Sequence, residues 1–348
     1  MRTLIFEDNE VDNLIEAVNK LQLLFHPTMM GRGEITANEI MKLSQMNSSI
    51  IIDSNILSPI YELAKYGTTK NKEGLQISAI LVIFSKIINA RITGGFALIE
   101  NESNSYMSIS SDEKEQFFLH AVDNIPLMIW KEIAWGYTCS VPEYFIFKEV
   151  KPKKTDVYQF SNNEHYLMHK IAILEMVYLI KLNGYNFDNF YNFLEWYIDN
   201  FIICESIILY AAMIFSSMPK IKPPKNLNSF KLDKIIKGVE NQAWDIFYLS
   251  YWSTLYSNEK TDKTIFLFAT NDVTLKHLLI NSFPIGNAIN SVYLIFNTVK
   301  QKNKLDDLLE RKLGENRIKP FDTSNKKEML EKLNILLENE IDKLKTIL

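Results

Sequence analysis

At 348 residues, 47% of them hydrophobic and 23% charged, the chain is long enough for a large core or two domains and too apolar for disorder. Glycine and proline number only 11 and 10, beside 21 Phe and 16 Tyr, a balance that favours helices and excludes a purely β architecture. A net charge of −4 gives no global attraction for nucleic acid and leaves only a local basic groove for such a role.

The start, MRTLIFEDNEVDNL, turns acidic at Glu7 and Asp8 and has no signal-peptide core. Apolar residues at Val11, Leu14, Ile15, Val18, Leu21 and Leu24 make one helical stripe. "HPTMMGRGEIT" breaks it, and "TANEIMKL" begins a short helix with Thr36 as its cap. "SSIIID" is too short and too β-branched for anything but a buried strand, and Pro59 is expected in the first turn of the helix after it. "LQISAILVIFSKIINA" is apolar nearly all round and reads as a buried helix. Ile92 and Thr93 look extended, Gly94-Gly95 bends, and "FALIE" begins a helix ending near Glu100.

Residues 111–217 read as helices. "SDEKEQFFLHAVDNIPLMIWKEIAW" comes first, and "EYFIFKEVKPKKTDVYQF" is mixed, with room for an extended piece. "NEHYLMHKIAILEMVYLIKLNGY" stops at Asn183-Gly184, and "FDNFYNFLEWYIDNFIICESIILYAAMIF" is one long helix or a pair. The apolar stretch 201–215 is interrupted by Glu205 and falls short of the roughly 20 residues a membrane span needs. "MPKIKPPKN" resembles a linker. Beyond it come a helix through "NQAWDIFYLS", a strand "TIFLFATND", a helix "VTLKHLLIN" and a further strand candidate, "NSVYLIFN". The stretch 323–348 carries Met329, Leu330, Leu333, Leu336 and Leu337 as an amphipathic helix for docking or pairing.

Two strands share one design, a greasy run followed by an acid and an amide. "IIIDSN" offers Asp53 and Asn55; "FLFATND" offers Thr270, Asn271 and Asp272. The carboxyl ends of parallel strands line the ligand crevice of open sheets, so neighbouring strands would set Asp53 beside Asp272. Like charges that close must share a proton or bind a cation, and oxygen ligands without Cys or His favour Mg²⁺ or Mn²⁺ over zinc. Asp245, on the helix before the second strand, supplies a third acid, and Glu100 a fourth. Asn55, Thr270 and Asn271 stand ready to hold these carboxylates from behind.

"IIIDSNIL", "AWDIFYLSYWS", "FATND" and "VTLKHLL", in that order, resemble the PIN-domain family of RNA-cutting nucleases. The resemblance implies a three-layer α/β/α domain with a central, mostly parallel sheet, and an endoribonuclease that hydrolyses phosphodiesters with carboxylate-held divalent metal. By it Asp53, Glu100, Asp245 and Asp272 match the family's acids, with Thr270 two residues before the last. Glu175 is a rival to Glu100. The implied organisation is N-terminal helices at 1–44, a nuclease domain split into 45–104 and 228–300, an all-helical insertion at 105–227, and a helical tail at 301–348. The match covers under half the chain, and Glu100 and Asp245 lie much farther apart than a minimal domain requires. Toxin–antitoxin and phage-defence settings follow from the family alone.

Each residue also has a plainer reading. Asp53 is a good helix cap. Asp245, set among Trp244, Ile246 and Phe247, is costly to bury without a partner. His165 and His169 lack the H-E-x-x-H order and read as solvated. The aromatic stripe at 185–197 reads as packing, although it could stack bases. "KPKK" at 151–154 and "KIKPPK" at 220–225 suit phosphate contact or plain solvation. "TGGF" lacks both a G-x-G-x-x-G pattern and a Walker lysine, leaving nucleotide binding unsupported. Two cysteines without CxxC spacing exclude a disulfide framework or zinc–thiolate site. With no spanning segment, a cytoplasmic protein without a membrane role is expected, with RNA as its partner. A second protein or another copy is admitted through the helical insertion or the C-terminal helix. The competing function is a non-catalytic scaffold that keeps the fold and works through its aromatic helices.

Overall fold

The structure is a computed structural model and describes residues 8–27, 34–104, 111–148, 163–282, 288–313 and 325–348. "KPKK" lies outside the described residues. The fold is mixed α/β, mostly helical, with one small sheet. The chain divides into two compact units, Met1–Val157 with Trp252–Asp272, and Tyr158–Tyr251 with Val273–Leu348.

The first unit holds the sheet. Its elements in order are α1 (Asp8–Leu21), β1 (Leu24–Phe25), α2 (Ala37–Ser44), β2 (Asn47–Ile52), α3 (Ser54–Tyr66), α4 (Lys72–Ile87), β3 (Arg91–Thr93), α5 (Gly95–Asn104), α6 (Ser111–Asn124) and α7 (Leu127–Ala134). A single 3₁₀ turn follows at Glu143–Phe145, and the unit is completed by the end of α11 (Leu232–Asp262) and by β4 (Thr264–Ala269). Strand order is β1-β4-β2-β3, with β4, β2 and β3 parallel and β1 antiparallel at the edge.

The isoleucine run makes β2 the inner strand. Ile50, Ile51 and Ile52 are all buried, as a strand covered on both faces requires, and each contributes about 1.5–3 kcal/mol by burial. The strand ends where Asp53 caps α3, and Thr36 caps α2 with Glu39 closing a capping box. Because Asp53 starts α3 at Ser54, Pro59 lies inside the helix and not in its first turn. It has no N–H to give the Asn55 carbonyl one turn back. Gly67 closes α3 with φ +74°, and a Cβ there would meet the Ile146 side chain at 2.9 Å. The Ser78 hydroxyl, fully buried on α4, reaches the Ile56 carbonyl of α3 at 2.9 Å. Helices α6 and α7 pack on α3 and α4.

The second unit is helical: α8 (Glu164–Asn183), α9 (Phe187–Asn200), α10 (Glu205–Phe215), the first part of α11, α12 (Val273–Ser282), α13 (Ala288–Ile295), α14 (Val299–Leu313) and α15 (Lys326–Ile347). The long apolar stretch is a pair, broken at 201–204, so Glu205 stands exposed at the first residue of α10. Phe190, Phe193 and Tyr197 of the aromatic stripe are buried packing residues.

"NSVYLIFN" is not a strand. It lies largely in α13, where Ile289, Val292 and Tyr293 line a small apolar cavity with Leu194 and Leu305. Their i, i+3, i+4 spacing is helical, and a run this short carries both periodicities at once. The apolar stripe of α15 is covered by α8 of the same chain, with Met329, Leu333 and Leu344 buried. Gly238 of α11 allows a close pass of the linker: a Cβ there would stand 1.8 Å from the Lys225 carbonyl oxygen. Among the described residues, no helix is long and apolar enough to cross a membrane.

Candidate functional site

Strands β2 and β4 are direct parallel neighbours, in register from Asn47↔Thr264 to Ile52↔Ala269. One step beyond the last rung, the Asp53 N–H donates to the Ala269 carbonyl at 3.2 Å, and the Thr270 N–H donates to the Leu23 carbonyl at 3.2 Å. The polar segments after both strands therefore emerge together at the carboxyl edge of the sheet, where open α/β sheets place their ligands.

The Asp53 carboxylate, 2% exposed, uses its two oxygens differently. Oδ1 accepts the Ile56 N–H at 3.1 Å, which is the cap of α3. Oδ2 accepts the Thr270 hydroxyl and the Asn55 amide, the latter at 3.3 Å. The Thr270 hydroxyl in turn accepts the Asp272 N–H at 2.9 Å, so one side chain ties both segments together. Thr270 is fully buried, while Asn271 and Asp272 are partly exposed.

Burial dominates the titration of Asp53. It pushes the carboxyl up to about 6, against the hydrogen bonds from Thr270, Ile56 and Asn55, and the Asp272 carboxylate adds to the rise. An acid raised by desolvation and a second carboxylate is a mark of functional sites. Helix capping alone accounts for Oδ1 and leaves Oδ2 and Asp272 unexplained.

Glu100 is buried on α5, a helix that packs against α3 and β2. Asp245 lies partly exposed on α11, within the second unit, and accepts the Gln242 amide at 3.2 Å. Glu175 is engaged by Lys343 at 2.9 Å in the second unit. Among the described residues, no three His, Cys, Asp or Glu side chains gather as a metal-holding group. Two carboxylates of one sheet edge still fit Mg²⁺ or Mn²⁺, since such ions are commonly held by one or two carboxylates with water completing the shell.

His169 departs from the solvated reading. It is buried and neutral, held down to about 3 by burial and then by His165, with Nε2 3.0 Å from the Ser250 hydroxyl. The neighbouring His165 is exposed. Sequence reasoning missed Leu23, whose carbonyl anchors Thr270, because a two-residue strand is too short to leave a periodic signal.

No family model, no curated protein and no solved structure matches this chain.

Proposed function

We propose that this chain is a PIN-like endoribonuclease whose carboxylate site lies at the joint carboxyl edge of β2 and β4. One observation carries the reading: two parallel neighbouring strands end in acid-bearing segments, and the Thr270 hydroxyl bonds to both of them. The PIN resemblance of the motifs and the mixed α/β sheet support a three-layer α/β/α arrangement around this edge.

In this reading Asp53 and Asp272 hold a Mg²⁺ or Mn²⁺ ion, with Glu100 as the further acid of the motif set in the same unit; Asp245 belongs to the second unit. When bound, the ion supplies positive charge for a phosphodiester oxygen and acidifies water at neutral pH. The chain supplies the rest. Thr270 fixes the Oδ2 face of Asp53 and, by accepting the Asp272 N–H, sets the backbone that carries the second carboxylate. Asn55 steadies the same oxygen, and Asn271 lies between the two anchoring residues. Ionised above about pH 6, Asp53 is in the state that attracts a cation at neutral pH. The setting is cytoplasmic, in a toxin–antitoxin or phage-defence module.

The competing reading, a non-catalytic scaffold, is favoured by the cap bond from Asp53 Oδ1 to Ile56. Titrating Mn²⁺ and Mg²⁺ into the wild type and an Asp53→Asn/Asp272→Asn variant, with cleavage of a mixed single-stranded RNA pool followed in parallel, separates the two. The nuclease reading expects binding and cleavage to vanish together in the variant. No cation uptake by the wild type would overturn it.

A further inference from the structure

The second unit buries two acids against each other. Helices α8 and α15 start together, with Lys326 bridging to Glu164 at 3.0 Å, and run side by side. Along the covered face of α15, Met329, Leu333 and Leu344 are buried as a docked stripe requires, and Glu340, 1% exposed, occupies the same stripe. Opposite it on α8 is Glu175, itself buried.

Among the described residues one cation serves both acids. Lys343 Nζ is 2.9 Å from Glu175 Oε2 and 2.8 Å from Glu340 Oε1. Its charge also lies over the Tyr178 ring of α8, 5.6 Å from the centroid, and over Trp196 of α9, also at 5.6 Å. The acids of α9 are engaged away from this seam: Asp199 and Glu195 take Lys312 of α14, at 2.7 and 3.7 Å. On α15 itself, Asp342 pairs with Lys345 and Glu328 with Lys332. Two ionised carboxylates against a single ammonium would leave a net negative charge buried, which low-dielectric surroundings strongly disfavour.

Glu340 Oε2 is buried and has no hydrogen-bond partner among the described residues. An ionised carboxylate leaves that oxygen orphaned beside a like charge. A protonated one turns it into a donor toward Glu175. Burial, and then Glu175, push Glu340 up to about 8, while Lys343 pulls the other way.

We infer that Glu340 holds a proton that it donates to Glu175 across the seam and that this proton clasps the C-terminal helix onto α8, so that α15 docks more tightly as pH falls. The sign follows from linkage. The docked carboxyl titrates above its undocked value, so docking is strongest below the ordinary carboxylate range and weakens as pH rises through the docked value. Between those limits the docking constant falls by up to about tenfold per pH unit, and above them it is flat. A polar pair at a core position also fixes the register of two helices, a known use of buried polar groups.

The test is amide hydrogen exchange of the α15 segment in the full chain at several values between pH 6 and 9, corrected for intrinsic exchange rates. The wild type is expected to lose protection in α15 between pH 6 and about 8, approaching tenfold per pH unit, and to level off above that, with little change in β2. Glu340→Gln, whose amide donates to Glu175 at any pH, is expected to keep the protection and abolish the pH dependence. Glu175→Gln is expected to flatten it likewise, and Glu338→Gln, exposed on the same helix, to leave the wild-type slope unchanged. A pH-independent wild type, or equal slopes in wild type and Glu340→Gln, overturns the inference. So does loss of α15 protection at every pH in both glutamine variants, which would assign the seam to a fully ionised triad.

Discussion

Replacing Asp53 by Asn separates its two roles, because the amide keeps the cap and loses the charge. The ordinary carboxyl value is 3.8 and the folded value about 6. At about 1.4 kcal/mol per pH unit of difference, the ionised carboxylate costs the fold about 3 kcal/mol once pH exceeds about 6. The folded value lies above the unfolded one, so the contribution to stability is whole below pH 3.8, fades as pH rises and is gone above about 6. In the Asp53→Asn variant the side-chain carbonyl oxygen keeps the Ile56 N–H at the Oδ1 place, the amide at the Oδ2 place donates to the Thr270 hydroxyl, and Asn caps as well as Asp. The amide carries no charge for burial or the Asp272 carboxylate to penalise. The variant is therefore expected to be more stable than the wild type by about 1–3 kcal/mol at pH 8, and within about 0.5 kcal/mol of it at pH 4. Equilibrium urea unfolding of both proteins at the two pH values measures this directly. A variant less stable by the same amount at both values would refute the reasoning, for it would make Asp53 a structural cap and nothing more.

Thr270→Val removes the donor to Asp53 and the acceptor for the Asp272 N–H in a fully buried position; about 1.5–3 kcal/mol is expected to be lost at pH 8 and less at pH 4, read from the same unfolding curves. If the carboxylate pair holds a cation, binding releases a proton below about pH 6 and weakens by about tenfold per pH unit there, which titration calorimetry in buffers of differing ionisation heat detects. Glu259→Ala strips the acceptor from the Phe266 N–H, now at 2.7 Å, and from His26 at 3.0 Å, with an expected loss of about 1.5–3 kcal/mol and increased exchange of the Phe266 amide. Gly238→Ala brings a methyl against the Lys225 carbonyl and is expected to cost about 1–3 kcal/mol, with a lowered melting temperature as the readout.

The sheet edge was legible because its signals are local. Three consecutive isoleucines before Asp53, and "FLFA" before Thr270, can only be buried strand, and a shared acid-and-amide ending suggests neighbours before any pairing is seen. Thr36 was legible as a cap for the same reason. Pro59 misled because proline marks a first helical turn on average, whereas Asp53, six residues earlier, had already started the helix. The run NSVYLIFN at 290–297 misled because apolar β-branched residues suit a buried helix as well as a strand, and only its packing among α10 and α14 residues decides. His169 and Glu340 were illegible as buried groups. Their burial depends on which helices pack against α8, and a charged residue on a helical stripe looks the same in sequence whether that stripe faces solvent or another helix.

The position of β4 bears on how this chain is made. Strand β4 lies between β1 and β2, yet Thr270, just beyond it, stands 217 positions after Asp53. A ribosome adding about 5–20 residues per second completes that interval in about 10–40 s. Throughout it β2 has a raw edge, three isoleucines long, exposed to whatever strand arrives first. The pairing is among the most non-local a sheet can have, so its closure is expected to be a late and slow event. The helices translated in the meantime belong partly to the other unit, so neither unit can be released from the ribosome as one continuous stretch. Expression from a truncated gene ending before residue 264 should therefore yield a chain that binds chaperones and aggregates through β2, not a smaller folded protein.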